Sequence, residues 1–387
     1  MDQSTIQIFF PLLRSAVFGT KLTEEERNHY APDMLQDLLN LSSKHDIAHL
    51  LVFGLKQNAL LLKENAELEK CILKAIYRYE MIKREYEKLC AALEKAEIPF
   101  LPLKGSVLRQ YYPEPWMRTS CDIDILVQAE QLERAIAAIK EMLQYTDGSK
   151  SNHDVSLFSP NGVHVELHYD TVVEGNAIKK SHTVLSHIWE TACPKQPGMY
   201  QYDLTDAMFY FYHIAHMAKH FQIGGCGIRP FLDLWILKHR VEHDGEARKQ
   251  LLDQGGLLAF AQAAESLSEV WFSGAESDPM TDRLAQYILG GGVYGTMENI
   301  VIVQQGRRGG KLRYALTRIF LPYETIKYYY PVLQKHKWLL PVYQVVRWCK
   351  LLFKGGVKRS VRELKTNASM SRADMQSAEA LLQYLDL

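Results

Sequence analysis

Apolar positions divide this chain into stretches of different period. In the first 95 residues they recur at helical spacing. A mostly apolar run covers residues 6–17, broken by Arg14. Thr23 followed three residues later by Glu26 has the form of a capped helix start. Across residues 61–98, Leu68, Ile72, Ala75 and Ile82 recur between Lys70, Lys74, Arg78, Lys83 and Arg84, which predicts one long charged helix.

The pattern changes at Pro99. Residues 100–103 are short and apolar, as in the start of a buried strand, and Lys104-Gly105-Ser106 leads into a short helical stretch ending at Tyr112. Two prolines make residues 113–116 a loop. Residues 121–127 alternate acidic and aliphatic side chains and predict a strand. A helix is expected over 131–143, with Leu132, Ala135, Ile136 and Ile139 on one face. Two further strands, 155–158 and 163–167, flank the hairpin signal Ser159-Pro160-Asn161-Gly162.

Helical periodicity returns at residue 205. Helices are predicted over 206–221, closed by Gly224-Gly225, and over 231–241, 247–270 and 281–289. There is no internal repeat. The reading is an α+β fold, a mixed sheet with flanking helices between N- and C-terminal helical segments. Its expected divisions are an N-terminal helical segment (1–95), an α/β core (96–200), a helical domain closing the cleft (201–310) and a C-terminal helical segment (311–387).

Charge alters the picture only at the C-terminus. Over the 387 residues 45 basic side chains balance 45 acidic ones, so overall charge names no partner. Residues 311–365, however, hold thirteen Lys or Arg against Glu324 and Glu363, interleaved with Tyr323, Tyr328, Tyr329, Tyr330, Trp338, Tyr343 and Trp348. Such a segment can hold nucleic acid. It can meet an anionic membrane through Leu339, Leu340, Leu351 and Phe353. It can also be a helical subdomain with a positive face, the reading favoured here because apolar residues recur as a core requires. With no nucleic-acid module signature present, nucleic acid is not an expected partner.

None of the six cysteines lies in a C-x-x-C pair or at zinc-finger spacing, as expected for thiols in a reducing cytosol. The N-terminal run has Asp2 before it and Arg14 within it, unlike a secretory signal, and no window is apolar enough for a transmembrane helix. A cytoplasmic protein is expected.

The chemistry concentrates in three short stretches: Lys104-Gly105-Ser106, Asp122-Ile123-Asp124 and Val165-Glu166-Leu167. Residues two apart on a strand share a face, so Asp122 and Asp124 project together while Ile123 and Ile125 face the core. Glu166, between two apolar neighbours, also projects from its strand. Three converging carboxylates repel one another unless divalent cations sit among them. Magnesium, with manganese as a substitute, prefers such oxygen ligands and shares its shell with phosphates. Glycine at 105 lets the backbone approach a phosphate, and Lys104 and Ser106 could add to the clamp.

These residues resemble the nucleotidyltransferase superfamily that includes DNA polymerase beta and kanamycin nucleotidyltransferase. More closely, Leu103-Lys104-Gly105, Arg118, Asp122 to Val127 and Val165-Glu166-Leu167-His168 resemble a bacterial family of uncharacterised nucleotidyltransferases, with His213, His216, His220, Arg229 and Asp233 matching its helical half. The resemblance covers roughly residues 96–240. It implies a polymerase beta-like core and an NTP–magnesium complex whose α-phosphate is attacked by an acceptor, with pyrophosphate leaving. Asp122 and Asp124 would bind both metals, Glu166 the metal that activates the acceptor, and Gly105 and Ser106 the outer phosphates. Fifteen residues separate Ser106 from Asp122, more than compact members use, and the 113–116 loop is the added length.

Other candidates have two readings each. Arg109 and Arg118 could neutralise phosphate, Arg118 being the stronger candidate, or could balance the carboxylates. His164 and His168 share the face of Glu166 and could touch metal or nucleotide, or simply be hydrogen-bonded beside the site. His213, His216 and His220 fall on one helix face and are read as lining the cleft, with a second metal site as the sharper alternative. Arg229 and Asp233 could complete that cleft or pair with each other. The acceptor stays open between small molecule, sugar and protein side chain. A non-catalytic nucleotide sensor and a phosphotransferase on the same metal site are the rival functions.

Overall fold

The computed structural model describes residues 3–61, 65–171, 179–293, 295, 299–301, 305, 310–353, 357–369 and 372–387. At its centre is a five-stranded mixed sheet in the order β1-β2-β5-β4-β3: β1 (Phe100–Pro102), β2 (Asp122–Val127), β3 (Thr146–Lys150), β4 (Asp154–Phe158) and β5 (His164–His168). All its neighbouring pairs are antiparallel except β2 and β5, which run parallel. A two-stranded ribbon, β6 (Ala192–Pro194) and β7 (Tyr202–Leu204), follows.

The N-terminal region folds as α1 (Gln3–Phe18), α2 (Glu24–Asn28), α3 (Leu35–Lys44), α4 (Ala48–Gln57) and α5 (Ala66–Lys95). Thr23 and Glu26 close the capping box in front of α2. The apolar run at residues 6–17 becomes α1, with Phe9, Leu12 and Leu13 fully buried. Helices α1 and α4 cross so closely that a β-carbon at Gly54 would lie 2.3 Å from the Leu12 carbonyl oxygen, so only glycine fits there. The long charged helix starts at Ala66, later than its pattern suggested. Asn65 ends it there by accepting the amides of Glu67 and Leu68 at 3.0 Å and 3.4 Å.

After β1 the chain forms a one-turn helix α6 (Gly105–Leu108), and α7 (Leu132–Leu143) joins β2 to β3. Ile123, Ile125, Val165 and Leu167 point from one face of the sheet into an apolar core shared with Leu89 and Leu93 of α5 and Ala135 and Ile139 of α7. Through Leu101 and Leu126 the sheet also joins an apolar core that contains residues of α8 (Lys179–Ser186), α9 (Asp206–Ile223), α10 (Arg229–His239), α11 (Gly245–Gln254), α12 (Leu258–Ser273) and α13 (Pro279–Gly290). The helical segments before and after the sheet share a second core. Phe10 of α1, for instance, stacks on Trp271 of α12 with ring centroids 4.5 Å apart.

The helical periodicity at 247–270 hides a break. Gly255 and Gly256, the latter at φ +64°, end α11 and restart the chain as α12. Strand β3 carried no sequence signal because Thr146–Lys150 is polar and exposed along its whole length, an edge strand without an apolar face. The 113–116 loop contains a 3-10 turn at Pro115–Met117. It docks on α4: Trp116 packs edge-on against Phe53, and the Met117 carbonyl lies 2.8 Å from His49 Nε2. Its added length therefore ties the sheet to the N-terminal helices and delivers Arg118 inward.

Candidate active site

Asp122, Asp124 and Glu166 come together because β2 and β5 run parallel and in register. Asp124 stands opposite Glu166, and Asp122 opposite His164. Odd-numbered neighbours are core residues, so the alternating acids all project from the opposite face. Across β4 the register brings Ser156 beside Glu166 and Asp154 beside His168. One face of the sheet thus presents five carboxylate or imidazole side chains within two strands.

Their electrostatics are uneven. Asp124 is 4% exposed, and both Lys104 Nζ (2.6 Å) and His168 Nε2 (2.9 Å) donate to its Oδ1. Burial works to raise its pKa, but the Lys104 ammonium and His168 outweigh burial and hold the carboxyl below the usual range. Asp122 and Glu166 go the other way. Burial first, then repulsion from Asp124, raises both, and Glu166 reaches about 7. Asp124, Glu166 and His168 offer donor atoms within 4.8 Å of one another, as do Asp122, His164 and Glu166, so Glu166 belongs to both groups. The oxygen donors suit a hard divalent cation, and the flanking imidazoles also admit manganese or zinc.

A family described as uncharacterised nucleotidyltransferases matches residues 32–273, which contain every residue of this face. The chain belongs to that family. No curated protein and no solved structure matches it. As a nucleotidyltransferase it has an acidic cluster able to hold metal, set on a mixed sheet with flanking helices.

The turn after β1 is bent sharply. Lys104 adopts φ +45° and ψ −117°, a region costly for a residue with a β-carbon, by about 1–3 kcal/mol. The bend carries its ammonium back to Asp124, whose charge keeps it protonated despite burial. A β-carbon at Gly105 would sit 2.8 Å from Arg118 Nη1 and 3.4 Å from Arg109 Nη2, so a larger residue there would push the guanidinium groups aside. Arg109 folds over this turn, its Nε donating to the Gly105 carbonyl (2.7 Å) and its Nη2 to Ser120 Oγ (2.8 Å). Burial and the neighbouring Arg118 lower its pKa to about 10. Ser106 lines a different cavity, beside Tyr86, Gln110 and Asp203, whereas Lys104 and His168 line the cleft next to the acids.

Arg118 is engaged elsewhere. Its Nε and Nη2 donate to the two carboxylate oxygens of the fully buried Asp233, which also accepts from the Tyr112 hydroxyl at 2.8 Å. Arg229 does not pair with Asp233. It donates to Asp46 Oδ2 (3.0 Å) and to the Thr119 carbonyl (2.6 Å). The partners differ from the sequence expectation because the 113–116 loop inserts Arg118 between the sheet and α10.

The three histidines of α9 also separate. His216 faces the cleft and its Nε2 lies 3.2 Å from His220 Nε2, whereas His213 is buried against the Pro230 carbonyl at 3.3 Å. Among the described residues they form no metal-binding group. Burial lowers the basicity of all three, and the nearby lysines lower that of His216 and His220 further. Between them is Lys219, which the sequence did not single out. It lines the cleft with Lys104, and no hydrogen bond or ion pair ties it to another described residue. Burial and the charge of Lys104 lower its pKa. Only the packing of α9 over the sheet reveals it, since a lysine between two histidines carries no local signal.

Proposed function

We propose that this nucleotidyltransferase moves a nucleoside monophosphate from an NTP to an acceptor that is a small molecule, a sugar or a protein side chain. The observation that carries the reading is the parallel register that sets Asp124 against Glu166 and Asp122 against His164 on a single face. In this reading Asp122, Asp124 and Glu166 hold Mg²⁺, with Mn²⁺ as a substitute. The bound metal supplies Lewis-acid charge to the phosphates and to the attacking oxygen. His168 fixes the orientation of Asp124 through its ring N–H.

The cleft beside the acids is lined by Lys104, His216 and Lys219, and these are the groups assigned to the polyphosphate. Lys219 is a partly buried cation that Asp154, Glu166 and Asp124 attract but that no hydrogen bond or ion pair ties to another described residue, so a phosphate oxygen can engage it directly. Gly105 serves by letting the two arginines close over the turn, and Arg118 by holding Asp233. The acceptor oxygen attacks the α-phosphorus and the bond to the β-phosphate bridging oxygen breaks. Pyrophosphate departs and the acceptor proton passes to Glu166, the carboxylate nearest the attacking oxygen in this reading.

One observation favours a second reading, nucleotide binding without turnover: Lys104 already neutralises Asp124 at 2.6 Å. The test is thermal unfolding with each NTP, with and without Mg²⁺, for the native protein and for Asp122→Asn/Asp124→Asn, followed by assay of pyrophosphate release with acceptor extracts. A Mg²⁺-dependent shift with one NTP and pyrophosphate release, both lost in the double variant, supports transfer. Binding with no turnover on any extract favours the sensor. NDP in place of pyrophosphate marks a phosphotransferase.

A further inference from the structure

Two C-terminal helices turn a stripe of apolar side chains outward. In the helix Lys311–Ile319, Leu312 (76% exposed), Leu316 and Ile319 lie at positions i, i+4 and i+7 on one face, open to solvent. In the helix Leu340–Phe353, Val342, Val345, Cys349 and Leu352 (68% exposed) form a second such stripe. Trp338, just before it, is 75% exposed. What these helices turn inward is polar. Gln344 is buried, its Nε2 donating to the Leu321 carbonyl (2.6 Å) and its Oε1 accepting the Leu321 amide (3.3 Å). Tyr314 is buried on Glu363, which also pairs with Arg318. Tyr314, Ile326 and Leu333 are fully buried, as a small core of recurring apolar residues requires, but the two stripes lie outside it. Lys354 lies outside the described residues, as do the side chains of Tyr328, Phe353, Lys358 and Arg359.

Two further features accompany the exposed stripes. Basic side chains flank them at the surface, among them Arg313, Lys335, Lys337 and Lys350. Where the two helices meet, Ile319, Leu321, Trp348 and Leu351 line an apolar cavity of about 430 Å³ with Arg318 and Arg347 at its side. The family match ends at residue 273, so membership of the family does not account for this surface.

We infer that the segment from Lys311 to Phe353 docks on the surface of an anionic lipid bilayer, its aliphatic and tryptophan side chains entering the headgroup boundary and its cations meeting lipid phosphates. A bilayer interface takes up apolar area, aromatic rings and positive charge together. Nucleic acid would engage the cations but offers no comparable seat for Leu312 or Leu352. A second copy of this segment would set eight Lys or Arg against eight, with only Glu324 within it to offset them on each side. No helix among the described residues is long and apolar enough to cross a membrane, so the contact lies on the surface.

The experiment is co-sedimentation of the full chain with vesicles of phosphatidylcholine alone and with vesicles of equal parts phosphatidylcholine and phosphatidylglycerol. The protein should sediment with the anionic vesicles and not with the neutral ones, and salt should weaken binding. Leu312→Glu/Leu316→Glu and, separately, Val342→Glu/Leu352→Glu should each lower the bound fraction severalfold. Both should keep a near-native melting temperature, since about half or more of each of these side chains already faces solvent. Absence of binding to anionic vesicles overturns the inference, as does binding that both variants retain. It is equally overturned if the variants instead abolish a dimer seen by light scattering, or an RNA complex, while vesicle binding is unchanged.

Discussion

Arg118 and Asp233 face each other through two parallel hydrogen bonds of 3.0 Å and 2.9 Å across 115 residues of sequence. The pair joins the loop before β2 to helix α10, and so the acidic sheet to the helices that cover it. It is fully buried on the carboxylate side. Removing one partner leaves an uncompensated charge inside the protein. Asp233→Ala should therefore cost about 3–5 kcal/mol, read as a lower urea midpoint with an unchanged slope. Arg118→Ala should cost a similar amount. A loss confined to activity, at native stability, would show that Arg118 acts on phosphate rather than on the fold.

His168, on the parallel neighbour strand, donates to Asp124 Oδ1. Its replacement by alanine should weaken Mg²⁺ binding about 10–100-fold, the usual effect of losing the group that orients a metal ligand. Isothermal titration with Mg²⁺ and with Mn²⁺ measures it. Asp124→Asn should abolish the binding that His168→Ala only weakens.

Lys219→Ala should raise the Kd for the NTP with little change in stability. The expected loss is about 1.5–3 kcal/mol, that of one hydrogen bond to a charged group. Lys219→Arg should restore part of it. If the alanine variant binds NTP as tightly as the native protein, the polyphosphate does not lie along α9.

Glu166 gives the metal-free protein a pH dependence of defined sign. An acid whose pKa in the folded chain is about 7, against the usual 4.5, stays protonated longer folded than unfolded. Its ionisation therefore costs the fold stability as pH rises through this window, a cost absent below 4.5 and complete above about 7. Melting curves of the native protein and Glu166→Gln should diverge with rising pH, the variant losing less. Mg²⁺ competes with that proton, so the stabilisation it confers should grow over the same range.

The acidic face could be read from the sequence because alternation on a strand is a local rule: Ile123 and Ile125 point one way, so Asp122 and Asp124 point the other. The parallel neighbour strand and its register are long-range facts, yet Val165 and Leu167 around Glu166 signalled the same arrangement. The capping box at Thr23 was equally local. Partner choice was not. Arg229 and Asp233 are four apart in sequence, but their actual partners, Asp46 and Arg118, are distant and were brought in by a loop whose docking on α4 depends on Phe53 and Trp116. Lys219 was missed for the same reason. In the C-terminal segment the helical period was visible, but period alone does not say which face meets water. Only the inward-turned Gln344 reveals that.

The backbone of Lys104 points to what selection has preserved. Glycine would occupy φ +45° and ψ −117° without crowding, but it would leave Asp124 buried with no ammonium beside it. The chain carries lysine there instead. A laboratory screen for heat resistance should accordingly recover Lys104→Gly only in company with a neutral residue at position 124, since relief of the backbone alone does not offset the lost ion pair. Variants sorted for NTP binding should keep both residues and gain their robustness elsewhere. Comparing the two screens would measure, at one turn, how much durability the chemistry costs.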